Sequence, residues 1–293
     1  VARLQRAPEV TEIRVLTRRE APVGTRAVRG DLTKALPAEF LASATVLFHC
    51  AGEVRRDEAM RALHVEGTRR LAEAAAGRVR RWVQLSSVGA YGRRQREGIV
   101  DESSPLAPEG EYERTKAQAD QLVSTAAAAG AFEAVVLRPS IVFGAGMPNR
   151  SLAQLVWAVR RGIYARIGRR PATATYVYVD DVAEALLLCA TSAAARGCYN
   201  LSDDRPWDDF IAAIAAALGR PAPSRDLPEA PLRWLARLAQ LVPGSPLTEA
   251  RIDALTRNVR YPAARIQREL GFAFGVSIEE GLRRYVASLA SGA

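Results

Sequence analysis

Short β-branched runs alternate with longer Ala-, Leu- and Arg-rich stretches along most of the chain, and no other feature restricts the fold as much. Strands are expected at residues 13–16, 45–49, 82–85, 134–137 and 175–179, and helices at 60–76, 112–129 and 181–190. Strand, helix, strand in repetition predicts parallel pairing with helices on both faces of the sheet. The fold class is therefore α/β, a doubly wound parallel sheet. From Pro206 onward the strand rhythm stops and helices broken by prolines take over, which marks a smaller, mostly helical C-terminal lobe. The expected division is 1–145 with 171–202 for the sheet domain, and 146–170 with 203–293 for the substrate lobe.

Composition narrows the class. With 293 residues, 48% of them apolar and 25% charged, the chain is long enough for a sizeable core and reads as a soluble globular protein. No uninterrupted apolar run approaches the ~20 residues of a membrane span, so stable membrane insertion is not expected. The polar, helix-patterned opening residues do not read as a signal peptide. Cys50, Cys189 and Cys198 lack metal-ligand spacing and lie in or beside apolar runs, which predicts core packing in a reducing cytoplasm and no metal site. The net charge of +9 comes with arginine doublets at 18–19, 55–56, 69–70, 93–94, 160–161 and 169–170. They are scattered, without interleaved aromatics or a basic tail, which argues against nucleic acid and for solvated surface plus an anionic small molecule.

One short segment carries chemistry. In Glu111-Tyr-Glu-Arg-Thr-Lys116 a phenol and an ammonium lie four residues apart, on one helix face. A phenol titrates near pH ~10 in water, and a neighbouring cation brings it toward usable acid/base chemistry. Ser87 in Gln84-Leu-Ser-Ser-Val-Gly-Ala-Tyr-Gly92 can hold the reacting oxygen. Lysine occurs only at Lys34 and Lys116 among the 41 basic residues, and a planar guanidinium does not replace a compact ammonium. The acidic, Pro- and Ser-containing stretch 100–109 reads as a loop on the same side of the fold, leading into the Tyr112 helix.

The opening is unusual. A doubly wound nucleotide fold should begin with a strand and a Gly-rich turn that seats a pyrophosphate on a helix N-terminus. No G-x-x-G-x-x-G or G-x-G-x-x-G occurs, there is no initiator Met, and residues 1–6 read as the end of a helix. The expectation is a Rossmann-like sheet whose first strand is truncated.

Nine landmarks in order carry a resemblance. They are Ile13-Arg-Val-Leu-Thr-Arg-Arg19, Gly30-Asp-Leu32, Val46-Leu-Phe-His-Cys-Ala-Gly52, Val65-Glu-Gly-Thr68, Leu85-Ser-Ser-Val-Gly-Ala-Tyr-Gly92, Tyr112 with Lys116, Leu137-Arg-Pro-Ser-Ile-Val-Phe-Gly144, Tyr178-Val-Asp-Asp-Val-Ala183 and Leu270-Gly-Phe272. On these the chain resembles the extended short-chain dehydrogenase/reductase family, the NAD(P)-dependent epimerase/dehydratase group. The resemblance implies Tyr112 as general acid/base and Lys116 on the nicotinamide ribose, lowering the Tyr pKa. It implies Ser87, rather than Ser86, as the group orienting the substrate oxygen. It places Asp31 and Leu32 at the adenine, Cys50, Ala51 and Gly52 at the middle of the cofactor, and Pro139, Ile141 and Val142 on the nicotinamide side. Asp180 and Asp181 read as a structural pair at a helix start.

Two departures stand out. His64 occupies a position where the family usually has Asn, and packing is the expected role over a hydrogen bond; the glycine turn is the second. The second strand ends in Arg18 and Arg19 with no acid, and guanidinium suits a 2′-phosphate, so NADP is preferred with NAD possible. Ser87-Val-Gly argues against a sugar dehydratase, and Arg138-Pro-Ser-Ile-Val-Phe-Gly144 is most similar to the 3β-hydroxysteroid dehydrogenase and dihydroflavonol reductase branch. The leading expectation is reversible hydride transfer between NADP(H) and a secondary alcohol or ketone. The alternatives are a nucleotide-sugar 4-epimerase and a non-catalytic NADPH sensor or assembly protein. Leu232, Leu235, Leu238 and Leu241 form one stripe of an amphipathic helix in 231–242, expected in the core or as a lid rather than on a membrane surface. Family analogy also allows a homodimer through the helices at 60–76 and 112–129.

Overall fold

The structure is a computed structural model that describes residues 1–239 and 248–291, apart from Arg94, Arg96, Pro148 and Arg169. The first half runs β1 (Arg14–Thr17), β2 (Arg26–Arg29), β3 (Val46–His49), α1 (Asp57–Met60), a π-helical stretch Arg61–Gly67, α2 (Thr68–Ala75), β4 (Arg81–Leu85), β5 (Glu97–Ile99) and α3 (Glu111–Ala128). It continues with β6 (Glu133–Pro139), β7 (Ile141–Phe143), α4 (Arg150–Arg160), β8 (Arg166–Ile167), β9 (Thr173–Tyr178), α5 (Val179–Thr191) and β10 (Gly197–Leu201). The last part holds β11 (Asp203–Pro206), α6 (Trp207–Ala217), β12 (Asp226–Leu227), α7 (Glu229–Ala239), α8 (Glu249–Thr256), β13 (Asn258–Arg260), α9 (Ala264–Leu270) and α10 (Ile278–Ser291).

The central sheet is parallel, in the order β10-β6-β4-β3, and β1 and β2 form a parallel pair of their own. The strands read as apolar runs because both faces are covered. Val83, Val135 and Leu137 pack with α5, while Trp82 lies on the other side with Leu71, Ala75 and Val123 of α2 and α3. Trp82 and Phe132 stack at 5.1 Å between ring centroids, a pairing that adds about 1 kcal/mol beyond burial.

The expected helix at 60–76 is one run from Asp57 to Ala75, with the π segment in its middle. Met60, His64, Gly67, Leu71 and Ala75 share its buried face. Gly67 is there because a Cβ would stand 3.2 Å from the Leu32 carbonyl oxygen, so the Val65-Glu-Gly-Thr68 motif lets two backbones approach closely.

β9 contributes to two hydrophobic clusters. Ala174, Tyr176 and Tyr178 face the lobe core with Phe210, Ile214, Leu282 and Tyr285, while Val177 faces the core of the central sheet. Strand alternation accomplishes this without a linker. β9 pairs with β7 and β11 rather than with the central sheet.

The α7 stripe is not core. Leu235 is 48% exposed, Leu238 46% and Trp234 61%, while Ala236 is the buried residue of that helix. Leu241 lies outside the described residues, as do Arg94 and Arg169 of the arginine doublets. The helix turns Ala236 inward, so apolar spacing misreads its buried face.

Candidate active site

The candidate residues lie at the C-terminal edge of parallel strands. Arg18 and Arg19 follow β1, Asp31 and Leu32 follow β2, Cys50, Ala51 and Gly52 follow β3, Ser86 and Ser87 follow β4, and Ile141 and Val142 follow β6. This is the edge on which open parallel sheets bind ligands.

Helix α3 supplies Tyr112 and Lys116 in its first two turns. Its start is held by Glu113, which accepts from the Glu109 and Gly110 N–H groups at 3.0 and 3.1 Å and pairs with Arg93 at 2.8 Å. The preceding loop is pinned at Gly92, where φ is +78° and a Cβ would sit 1.9 Å from the Ala107 carbonyl oxygen. Ser87 opens the turn at 88–91, its Oγ accepting from Gly89 N–H at 3.0 Å.

Ser87 is the neighbour that favours the ionised form of the Tyr112 phenol. Burial raises the phenol above its ordinary value, Ser87 opposes that rise and the Asp120 carboxylate adds to it. Lys116 is buried, and its Nζ donates to the Leu85 carbonyl, tying α3 to the end of β4. Burial pushes this ammonium down, against the attraction of Asp120. The influence that lowers the phenol here is thus Ser87, and Lys116 stands one turn away on the strand end.

Sequence reasoning missed the support beneath this pair. Asp120, one turn beyond Lys116, accepts from Ser86 Oγ at 2.7 Å and from Arg138 Nε and Nη2 at 3.1 Å each, all on Oδ2. Burial raises the Asp120 carboxyl above its ordinary range, with Arg138, Ser86 and Lys116 opposing the rise. Two donors from one guanidinium favour its ionised form. Arg138 also lies over the Tyr91 ring, 4.9 Å from its centroid, and Tyr91 donates to Asn200 Oδ1 at 2.9 Å. Ser86 is thereby committed to the buried network, whereas Ser87 faces Tyr112. The i, i+4 spacing of Lys116 and Asp120 was the one available signal.

His64 departs from the packing expectation. It makes hydrogen bonds through both ring nitrogens, to Glu53 N–H at 2.8 Å and to Thr115 Oγ1 at 2.9 Å, and its ring meets Tyr112 edge-on at 5.7 Å.

On the cofactor side Arg18 and Arg19 are exposed, with Arg18 Nη1 3.6 Å from Asp31 Oδ2. Hydrogen bonds from Thr33 hold the Asp31 carboxyl below its ordinary range. Leu32 is buried against Leu41, Leu47 and Leu71. Cys50 and Gly52 are exposed rather than in the core, because they lie just beyond the end of β3; Pro139 is buried, and Ile141 is 46% exposed.

The family model for the NAD dependent epimerase/dehydratase family matches residues 1–202. The chain belongs to this family, the extended short-chain dehydrogenases/reductases. It is 32% identical over 260 residues to the 4-hydroxy-2-methyl-3-oxo-4-farnesyl-3,4-dihydroquinoline-1-oxide ketoreductase of Stigmatella aurantiaca, covering 83% of this chain and 77% of that protein. It is 35% identical over 196 residues to the dTDP-6-deoxy-L-talose 4-dehydrogenase (NAD(P)(+)) of Kitasatospora kifunensis, covering 61% and 62%. A UDP-glucose 4-epimerase of Vibrio cholerae is 24% identical, with 87% and 80% covered. The crystal structure of gox2253 superposes with a TM-score of 0.80 at 22% identity, covering all of this chain and 94% of that one, which shows the Rossmann-like fold. The chain is accordingly an NAD(P)-dependent oxidoreductase that interconverts a secondary alcohol and a carbonyl by hydride transfer. Among the described residues no helix is long and apolar enough to cross a membrane.

Proposed function

We propose that this member of the family is an NADPH-dependent ketone reductase. The observation that carries the reading is the Tyr112 phenol with Lys116 one turn behind it on the same helix and Ser87 favouring its ionised form. When bound, the reduced nicotinamide supplies a hydride to the carbonyl carbon. Ser87 holds the carbonyl oxygen, and Tyr112 Oη delivers the proton that completes the alcohol. Lys116 would hydrogen-bond the nicotinamide ribose of the bound cofactor. Asp31, Leu32, Cys50, Ala51, Gly52, Pro139, Ile141 and Val142 line the cofactor's length. Arg18 and Arg19 favour a 2′-phosphate, although Asp31 draws on the charge of Arg18. Three cysteines without a disulfide suit a reducing cytoplasm. The outward faces of α2 and α3 carry Arg69, Glu73, Arg114, Gln118 and Gln121, a polar surface for the suggested homodimer.

The ketoreductase relative supports the direction of the reaction, and the epimerase relative supports the second reading, in which the same oxidation is followed by reduction on the opposite face. Retention of both Tyr112 and Lys116 counts against a sensor that turns nothing over. The test offers NADPH or NADH with pooled ketones, and separately NADP with nucleotide sugars, to wild type and Tyr112→Phe. Net NADPH consumption that falls about 10²–10⁴-fold in Tyr112→Phe is the expected result. Sugar isomerisation without net cofactor change would transfer the case to the epimerase, and Tyr112-independent turnover would overturn both.

A further inference from the structure

The polarity of the hydrogen bonds around His64 is fully determined. The Glu53 N–H can only donate, so His64 Nε2 is the acceptor and Nδ1 carries the proton. That proton goes to Thr115 Oγ1, and the Thr115 hydroxyl in turn donates to the Glu111 carbonyl at 2.8 Å. One end of this chain is the segment Cys50–Glu53 after β3; the other is the first turn of the Tyr112 helix. The imidazole is 2% exposed and its plane stands at 81° to the Tyr112 ring. It sits in the π-helical stretch Arg61–Gly67, a local departure that recurs where a helix must aim one side chain.

We propose that His64 is a positioning residue, a one-tautomer bridge that fixes the Cys50–Glu53 segment against the helix carrying Tyr112. The bridge sets the distance between the cofactor-lining segment and the acid/base. It makes Glu53 N–H, which has no strand partner, part of the site's frame. It rests on the reading of Tyr112 as the acid/base. The titratable neighbours are Lys116 and Tyr112 from α3, His49 from β3 and Glu53 from the loop, and burial together with Lys116 disfavours a second ring proton. A neutral ring is what the bridge requires, because a proton on Nε2 would face the Glu53 N–H.

The chain has two histidines, so ¹⁵N-histidine labelling of the full chain resolves both rings, and His64→Gln assigns them by loss of one set. The bridge predicts an Nδ1-protonated, Nε2-bare ring for His64 that stays neutral from pH 8 to about pH 5. An Nε2-protonated ring, or one titrating near its ordinary value, overturns it. Glu53 amide exchange separates the two arms. Gln places an acceptor where Nε2 was and should keep Glu53 protected, whereas Asn reaches only Thr115 and should lose that protection, as should Phe. NADPH affinity should follow the same order, falling about fivefold to tenfold in His64→Phe and His64→Asn and staying near wild type in His64→Gln. Thr115→Val probes the other arm without touching the imidazole and should shift the His64 ring signals. Equal affinity and equal Glu53 exchange in all four variants would refute the bridge even if their melting temperatures differ. A wild type that binds no NADPH would count against the proposed reductase, and the tautomer and exchange results would still decide the bridge.

Discussion

Lowering the pH from 7 to 5 should destabilise the folded chain through its two histidines by about 4 kcal/mol. Both rings are buried, His49 at 3% exposure and His64 at 2%. Burial, with Lys116 adding to it, pushes His49 down to about 3 and His64 down to about 4. In the unfolded chain each titrates near its ordinary value of about 6.5. Between those values the unfolded state binds protons that the folded state refuses, so stability falls as pH falls through the unfolded value. The loss ends once the folded rings themselves protonate. From pH 7 to 5 each histidine contributes about 2 kcal/mol, before most carboxylates begin to titrate. Urea unfolding followed by tryptophan fluorescence at pH 7, 6 and 5 measures the loss, and His64→Gln should remove about half of it. A midpoint that does not move between pH 7 and 5, or an unchanged slope in His64→Gln, would refute the assignment of both rings as buried and neutral.

Other perturbations have equally definite outcomes. Asp120→Asn leaves Arg138 and Lys116 as buried cations without a counter-ion and should cost about 3–5 kcal/mol by urea titration. Gly92→Ala forces a Cβ into the Ala107 carbonyl at positive φ and should cost more than about 2 kcal/mol, whereas Gly146→Ala, at φ +73° with nothing within 4 Å of its added Cβ, should cost only the backbone strain of about 1 kcal/mol. Leu235→Lys should change stability by no more than about 0.5 kcal/mol, because the side chain is half in solvent; a loss of several kcal/mol would restore the core reading of that stripe.

The sheet was legible where a strand is apolar on both faces, as at 134–137, because burial writes itself into a continuous run. β2 escaped that reading because only Val28 of its four residues is buried, and β10 because it opens on Gly197 and carries Asn200. Asn200 is buried only because Tyr91, Val100 and Glu102 satisfy it from a hundred residues away. The pair Tyr112 and Lys116 was visible in one short segment, and the family and its chemistry in landmarks spread along the chain. What the amino-acid order could not reveal was which partners those residues take. Ser86 rather than Ser87 goes to Asp120, His64 bridges instead of packing, and α7 buries Ala236 while exposing its leucines. The physical reason is one of range. Periodicity and spacing encode which face a residue occupies on its own element, while a hydrogen bond or a buried charge pair is settled only when distant segments meet and each polar group must find a partner or remain costly.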